Sequence, residues 1–391
     1  MVNMDSVTEV TSQGMGSRLM NSLKGVLVGL ALIAGSIGLL WWNEGRTVQM
    51  ARDLEEAGGN VVSVAVDNVD QANAGKLIHV TGDLKTEETL QDSIFKIKGN
   101  AIHLKRSVEM YQWEEKEESK TEKKMGGGTE TTKTYSYSKE WSSSRNDSTG
   151  FKKPEGHSNP TMPYQASSQS AQNVQLGAFK LSAELISMVG GGSPVELTPE
   201  SLNALNSDLK LKTVIDGNSF YISQSGKPNP SSPEVGDLKV SFELTKPGPV
   251  SVVGVQTGNS FSSYTGGNGN AILLLENGTK TAAAMFQTAQ SSNSMWGWIW
   301  RAVGLIAMTM GFGMIFKPIA TLGDVVPFIG SALEFGIGVI SFILSFIISF
   351  IVIAIAWIFY RPLLGIGLLA VAAGGIGTLI YMKKKKSMAS A

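Results

Sequence analysis

The sequence predicts an α+β membrane protein, with four transmembrane helices and a strand-rich mixed extracytoplasmic domain. Three observations predict it. The stretch from Met295 to Ala391 is apolar almost throughout, and an apolar helix of about 20 residues is what crosses a bilayer. A further apolar run, Gly25 to Trp42, lies near the N-terminus. The long middle region instead shows short alternating runs separated by turn residues, the pattern of strands. The net charge of zero averages these unlike parts and describes none of them.

Residues 1–24 read as a short cytosolic tail carrying Arg18 and Lys24. Residues 25–42 (GVLVGLALIAGSIGLLWW) are too long for a signal-peptide core and lack a small-x-small cleavage site, so they are expected to remain as a signal anchor. The other spans are expected at 295–316, 335–360 and 363–382, with a basic cytosolic tail at 383–391. Residues 322–360 would be too long for one span. Pro318 and Pro327 interrupt that run, so 317–334 is expected to lie along the cytosolic interface.

Two features orient the chain. Lysine and arginine collect on the cytosolic side, which places Arg18, Lys24, Lys317 and the run Lys383, Lys384, Lys385 and Lys386 there. Interfacial aromatics then fall together at the opposite face: Trp41 and Trp42 end the first span, Trp296, Trp298 and Trp300 begin the second, and Trp357 and Tyr360 end the third. Both termini are thus expected in the cytosol and residues 43–294 in the periplasm or a lumen.

That middle region is long enough for a real core. Residues 43–57 read as a polar continuation of the first helix. Strands are expected from VVSVAV, KLIHVTG and IFKIKGNAIHLKRSVEMYQW, and later from LKLKTVI, SFYIS, DLKVSFEL, VSVVGV and AILLLE. Within the stretch at about 107–170 the composition changes sharply from Glu114 to Ser170, which suits a disordered linker. Tyr111 and Trp113 alternate before Gly126–Gly128, however, and Tyr135, Tyr137 and Trp141 alternate after it. Such aromatics supply cross-strand pairs, so a long hairpin followed by an irregular loop is expected. A helix is expected over 179–189, another after the cap Thr198–Pro199, and a third from Thr281 back to the membrane.

Chemistry is sparse. The chain has no cysteine, which excludes disulfides, zinc–thiolate sites and cysteine nucleophiles. The three histidines, His79, His103 and His157, are scattered, and each reads as a strand or loop residue rather than a ligand. No hydrolase, metalloprotease or phosphate-loop motif occurs. No catalytic residue, metal or cofactor is expected. Asp324 and Glu334 form the one candidate polar site: either interfacial acids facing water or a carboxylate pair for ion passage. Gly25 and Gly29, Gly336 and Gly338, Gly365 and Gly367, and Gly374, Gly375 and Gly377 would let helices pack closely, within one bundle or between copies.

Six segments carry a resemblance: NEGRTV after the first span, LKRSVEMYQWEE, TYSYSKEW, GHSNP, PEVGDLKVSFEL and AWIFYRPL. In this order they resemble the LUMA family of four-span membrane proteins. The resemblance implies one N-terminal span, a large luminal domain and three C-terminal spans. It also implies a non-enzymatic protein that self-associates and helps to organise envelope proteins and lipid. The expected partners are the lipid bilayer, further copies of the chain and other membrane proteins, not nucleic acid. The expected function is a membrane scaffold, with an ion channel or transporter, or a subunit of a lipid-metabolising complex, as the alternative. The short N-terminal tail and the missing cysteines favour a bacterial inner membrane; otherwise the resemblance implies the endoplasmic reticulum or inner nuclear membrane.

Overall fold

The computed structural model describes residues 5–362. They form two compact units, one of residues 5–10, 56–120 and 132–287 and the other of residues 11–55, 121–131 and 288–362. The expected span at 363–382, with Gly365, Gly367, Gly374, Gly375 and Gly377, lies outside the described residues, as do Lys383 to Lys386.

Two sheets build the first unit. The larger runs in the order Ser6–Gln13, Thr129–Ser142, His103–Lys123, Leu238–Thr245, Ser219–Ile222, Thr213–Asp216. Leu238–Thr245 lies antiparallel to the start of His103–Lys123, with Leu238 opposite Met110 and Thr245 opposite His103. Alternation sets its buried face: Leu104, Val108 and Met110 meet Leu238, Val240 and Phe242 around Phe95 and Phe220. The second sheet centres on Leu77–Lys85 paired with Pro249–Thr257, and its core gathers Ile78, Val80, Leu176, Phe179, Leu185, Val250 and Val252.

The hairpin forms, with arms His103–Lys123 and Thr129–Ser142. Gly126 and Gly127 turn it at φ of 87° and 81°, a conformation that glycine adopts without steric cost. The N-terminal tail differs from expectation. Residues Ser6–Gln13 are a strand on the edge of this sheet, because SVTEVTSQ is rich in β-branched residues and the return arm offers it an open edge. Asp5, just before this strand, accepts from His157 Nε2 at 2.7 Å and from Lys153 Nζ at 2.9 Å. Those two hydrogen bonds hold the Asp5 carboxyl below its usual value. The His157 ring is buried, stacked on Tyr137 at 4.0 Å and edge-on to Trp113 at 4.6 Å.

The expected helix over 179–189 is shorter. Phe179–Lys180 pairs as a strand with Gln175–Leu176, and Ser182 caps a helix only at Ala183–Met188. The cap at Thr198–Pro199 opens the helix Pro199–Asn203, and Ser207–Leu211 follows.

The second unit is helical. In chain order with the three short helices just given (α2, α3 and α4), its long helices are α1 (Met15–Asn60), α5 (Ala282–Gly323) and α6 (Pro327–Tyr360). All three are long and apolar enough to cross a membrane. Residues 317–334, expected as a segment of their own, are instead divided between two helices. Helix α5 runs on through Pro318 to Gly323, the chain turns at Asp324–Val326, and α6 begins at Pro327. Proline is at home at the first helical position, where its missing N–H has no partner to lose. Leu40, Met308 and Val352 form the shared core of the three helices.

Candidate functional site

Polar side chains gather at two ends of the helix unit. At one end the segment Asn43–Arg46 occupies the middle of α1, and each of its residues has a distinct contact. Asn43 Nδ2 donates to Gly297 O at 3.0 Å. Glu44 is fully buried and accepts from Arg301 Nε at 2.6 Å, Arg301 Nη2 at 2.8 Å and Trp357 Nε1 at 2.7 Å. A Cβ on Gly45 would lie 2.7 Å from the Tyr360 ring, so any larger residue there would have to move that ring. Arg46 reaches Asn293 Oδ1 at 3.4 Å and lies over the Trp42 ring at 6.0 Å. A forked guanidinium matched to both oxygens of a carboxylate is the strong form of ion pair, and the indole N–H occupies a further lone pair of Glu44.

The expected interfacial aromatics converge here. Trp42 meets Trp300 edge-on at 6.3 Å, Trp41 packs on Tyr360 at 5.8 Å, and Arg301 lies over Trp298 at 4.6 Å. Trp42, Trp296 and Trp298 remain largely exposed, as rings facing a bilayer interface would.

At the other end Asp324, 2% exposed, binds Arg18 Nη2 at 2.5 Å and Lys123 Nζ at 2.8 Å. Lys123 also reaches Glu334 Oε2 at 2.7 Å, and Arg18 Nη1 donates to Gly127 O at 2.6 Å. Burial pushes the Asp324 carboxyl up, but Lys123 and Arg18 outweigh it and hold it below the usual carboxylate range. Gly330 makes room: a Cβ there would stand 1.8 Å from Asp324 Oδ1. Asp324 and Glu334 are thus brought together through Lys123. A cavity of about 600 Å³ opens beside them, lined among others by Arg18, Lys123, Lys317 and Glu334.

Lys123 lies in the hairpin tip, so residues 121–131 share the end of the helices that holds Arg18. The charge pattern instead places 43–294 on the side opposite Arg18, and the tip is the segment at which the two readings part.

Of the predicted packing glycines, Gly29 faces Gly311, where a Cβ on Gly29 would come 2.6 Å from the Gly311 carbonyl oxygen. Gly25, Gly336 and Gly338 have nothing within 4 Å to meet a Cβ. Sequence reasoning missed Glu44, Arg18 and Lys123 as partners. The signal for Glu44 was present: an acid just after one span and a lone arginine near the start of the next lie at the same predicted depth. No comparable signal tied Lys123 to Asp324.

Trp357, which donates to Glu44, lies within a known sequence pattern. The sequence model of transmembrane protein 43 matches residues 110–362. The chain belongs to the transmembrane protein 43 family. LUMA is the alternative name of that family. Rat transmembrane protein 43 is 35% identical over 369 residues, 91% of this chain and 90% of the rat protein. The human protein is 34% identical over 362 residues, 90% of this chain and 88% of its own. The Drosophila melanogaster homolog is 30% identical over 356 residues, 89% of this chain and 92% of its own. No solved structure matches the chain. As a family member the chain is an integral membrane protein.

Proposed function

We propose that the protein is a non-enzymatic membrane scaffold that self-associates and organises membrane proteins or lipid through its strand-rich domain. The distribution of polarity in the helix unit carries this reading. Its buried ion pairs lie at the two ends, around Glu44 and around Asp324. Between them Leu40, Met308 and Val352 pack together. Over the described residues one copy therefore gathers its buried ion pairs at the ends, which favours surfaces for packing over a charged passage. Phe335, Phe342, Phe346 and Phe350 leave α6 with an exposed apolar face, and Gly336 and Gly338 leave part of that helix open to close approach.

The mass of the full-length protein, extracted gently into native nanodiscs, tests the reading. One discrete oligomer is expected; a strict monomer at every concentration would overturn it. The alternative, ion passage, draws on the cavity beside Asp324 and Glu334. Flux in proteoliposomes that is lost on Asp324→Ala or Glu334→Ala would favour it.

A further inference from the structure

The cavity at the Asp324 end has an uneven charge balance. Arg18 and Lys123 share the Asp324 carboxylate, and Glu334 answers Lys123. Lys317, also in the wall, is exposed, and no carboxylate among the described residues pairs with it. Three cations thus face two acids. The two acids differ in how firmly they are held. Asp324 is 2% exposed and Glu334 61%. Removing a cation from a buried carboxylate is costly, whereas an exposed pair opens easily.

We propose that this cavity binds the phosphate of an anionic lipid headgroup. Asp324 keeps Arg18 and Lys123 in position while the phosphate replaces Glu334 at Lys123 and gains Lys317. The setting favours a lipid over a soluble phosphate. Gly25, where the apolar run of α1 begins, and Met314, inside the apolar run of α5, belong to the same wall. The cavity therefore lies where both helices pass from polar to apolar sequence, the level at which headgroups sit. Its size suits a small polar ligand, since ligand pockets run from about 300 to 1,000 Å³. A monomer would hold the same cavity, so lipid capture and self-association stand or fall separately.

The test titrates delipidated full-length protein in detergent with phosphatidylglycerol, phosphatidylcholine or glycerol phosphate and counts bound molecules by native mass spectrometry. One phosphatidylglycerol is expected to bind more tightly than phosphatidylcholine. Lys317→Gln should weaken it about fivefold, the worth of one lysine beside an anionic surface. Glu334→Gln should strengthen it by a similar factor, a gain that a damaged fold cannot produce. Lys227→Gln, on an exposed loop of the strand-rich unit, should leave it unchanged. Equal binding of phosphatidylcholine, or indifference to both Lys317→Gln and Glu334→Gln, would overturn the site. Glycerol phosphate binding as tightly, with the same responses, would overturn the lipid assignment in favour of a soluble phosphate.

Discussion

Lys123 Nζ stands 2.8 Å from Asp324, and Arg18 approaches the same carboxylate at 2.5 Å from the other side of a 306-residue separation. One buried anion therefore ties together the start of α1, the tip of the hairpin and the turn between α5 and α6. Its loss should be felt in all three.

Asp324→Asn leaves two cations facing a neutral amide. Breaking a buried pair by removing one partner costs about 3–5 kcal/mol. Thermal unfolding in detergent should fall accordingly, and trypsin should cut sooner after Lys123 and Lys124. The pH dependence has a definite sign. The folded carboxyl lies below its ordinary value of 3.8, so its contribution is complete above that value and is lost as pH falls through the lower folded one. Asp324→Asn should flatten that acid limb, and an unchanged limb would show that the carboxylate does not hold the tip.

The cysteine-free chain allows a direct test of sidedness. Met125→Cys, at a tip residue 79% exposed, and Ser17→Cys, on the first turn of α1, should react with a membrane-impermeant maleimide from the same side. Reaction from opposite sides would detach the tip from the Arg18 end and restore a middle region lying wholly on one side.

Glu44 and Arg301 should behave as one unit. Glu44→Gln and Arg301→Met are each expected to cost about 3–5 kcal/mol, and the double variant clearly less than their sum. Additive losses in a double-mutant cycle would mean that the forked contact contributes little of its own. Trp357 offers a second readout, because its indole donates to the same carboxylate and its fluorescence should shift in Glu44→Gln.

The glycines should separate by neighbour. Gly29→Ala places a methyl 2.6 Å from the Gly311 carbonyl and should destabilise the bundle. Gly336→Ala meets nothing among the described residues and should stabilise the helix by up to about 1 kcal/mol, as alanine does over glycine. A loss of oligomer mass in Gly336→Ala without loss of thermal stability would assign that position to contacts between copies.

The three described apolar helices and the hairpin were legible because each is a local pattern: hydropathy over a run of residues, and alternating aromatics around a glycine turn. Pro327 read as a break in the apolar run, and it is instead the first residue of α6. What was not legible depends on partners distant in sequence. The strand Ser6–Gln13 has the composition of a strand, yet a lone polar segment near a terminus reads as a tail until an open sheet edge is known to await it. Pro318 reads as a break, but α5 continues through it, since one missing N–H does not stop a helix held by packing on both sides. Asp324 and Glu334 were visible as acids, and their cations were not, because Arg18 lies beyond one apolar run and Lys123 within a charge-rich hairpin where no single lysine stands out.

The N-terminal strand also sets an order of assembly. Thr11 donates to the carbonyl of Thr131, 120 residues later in the chain. At a synthesis rate of about 5–20 residues per second, the first strand leaves the ribosome roughly ten seconds before its sheet edge exists, while α1 is already available to the insertion machinery. Residues 5–13 must therefore stay unpaired through that interval. A stable fold fused ahead of the strand would burden a step that cannot begin early.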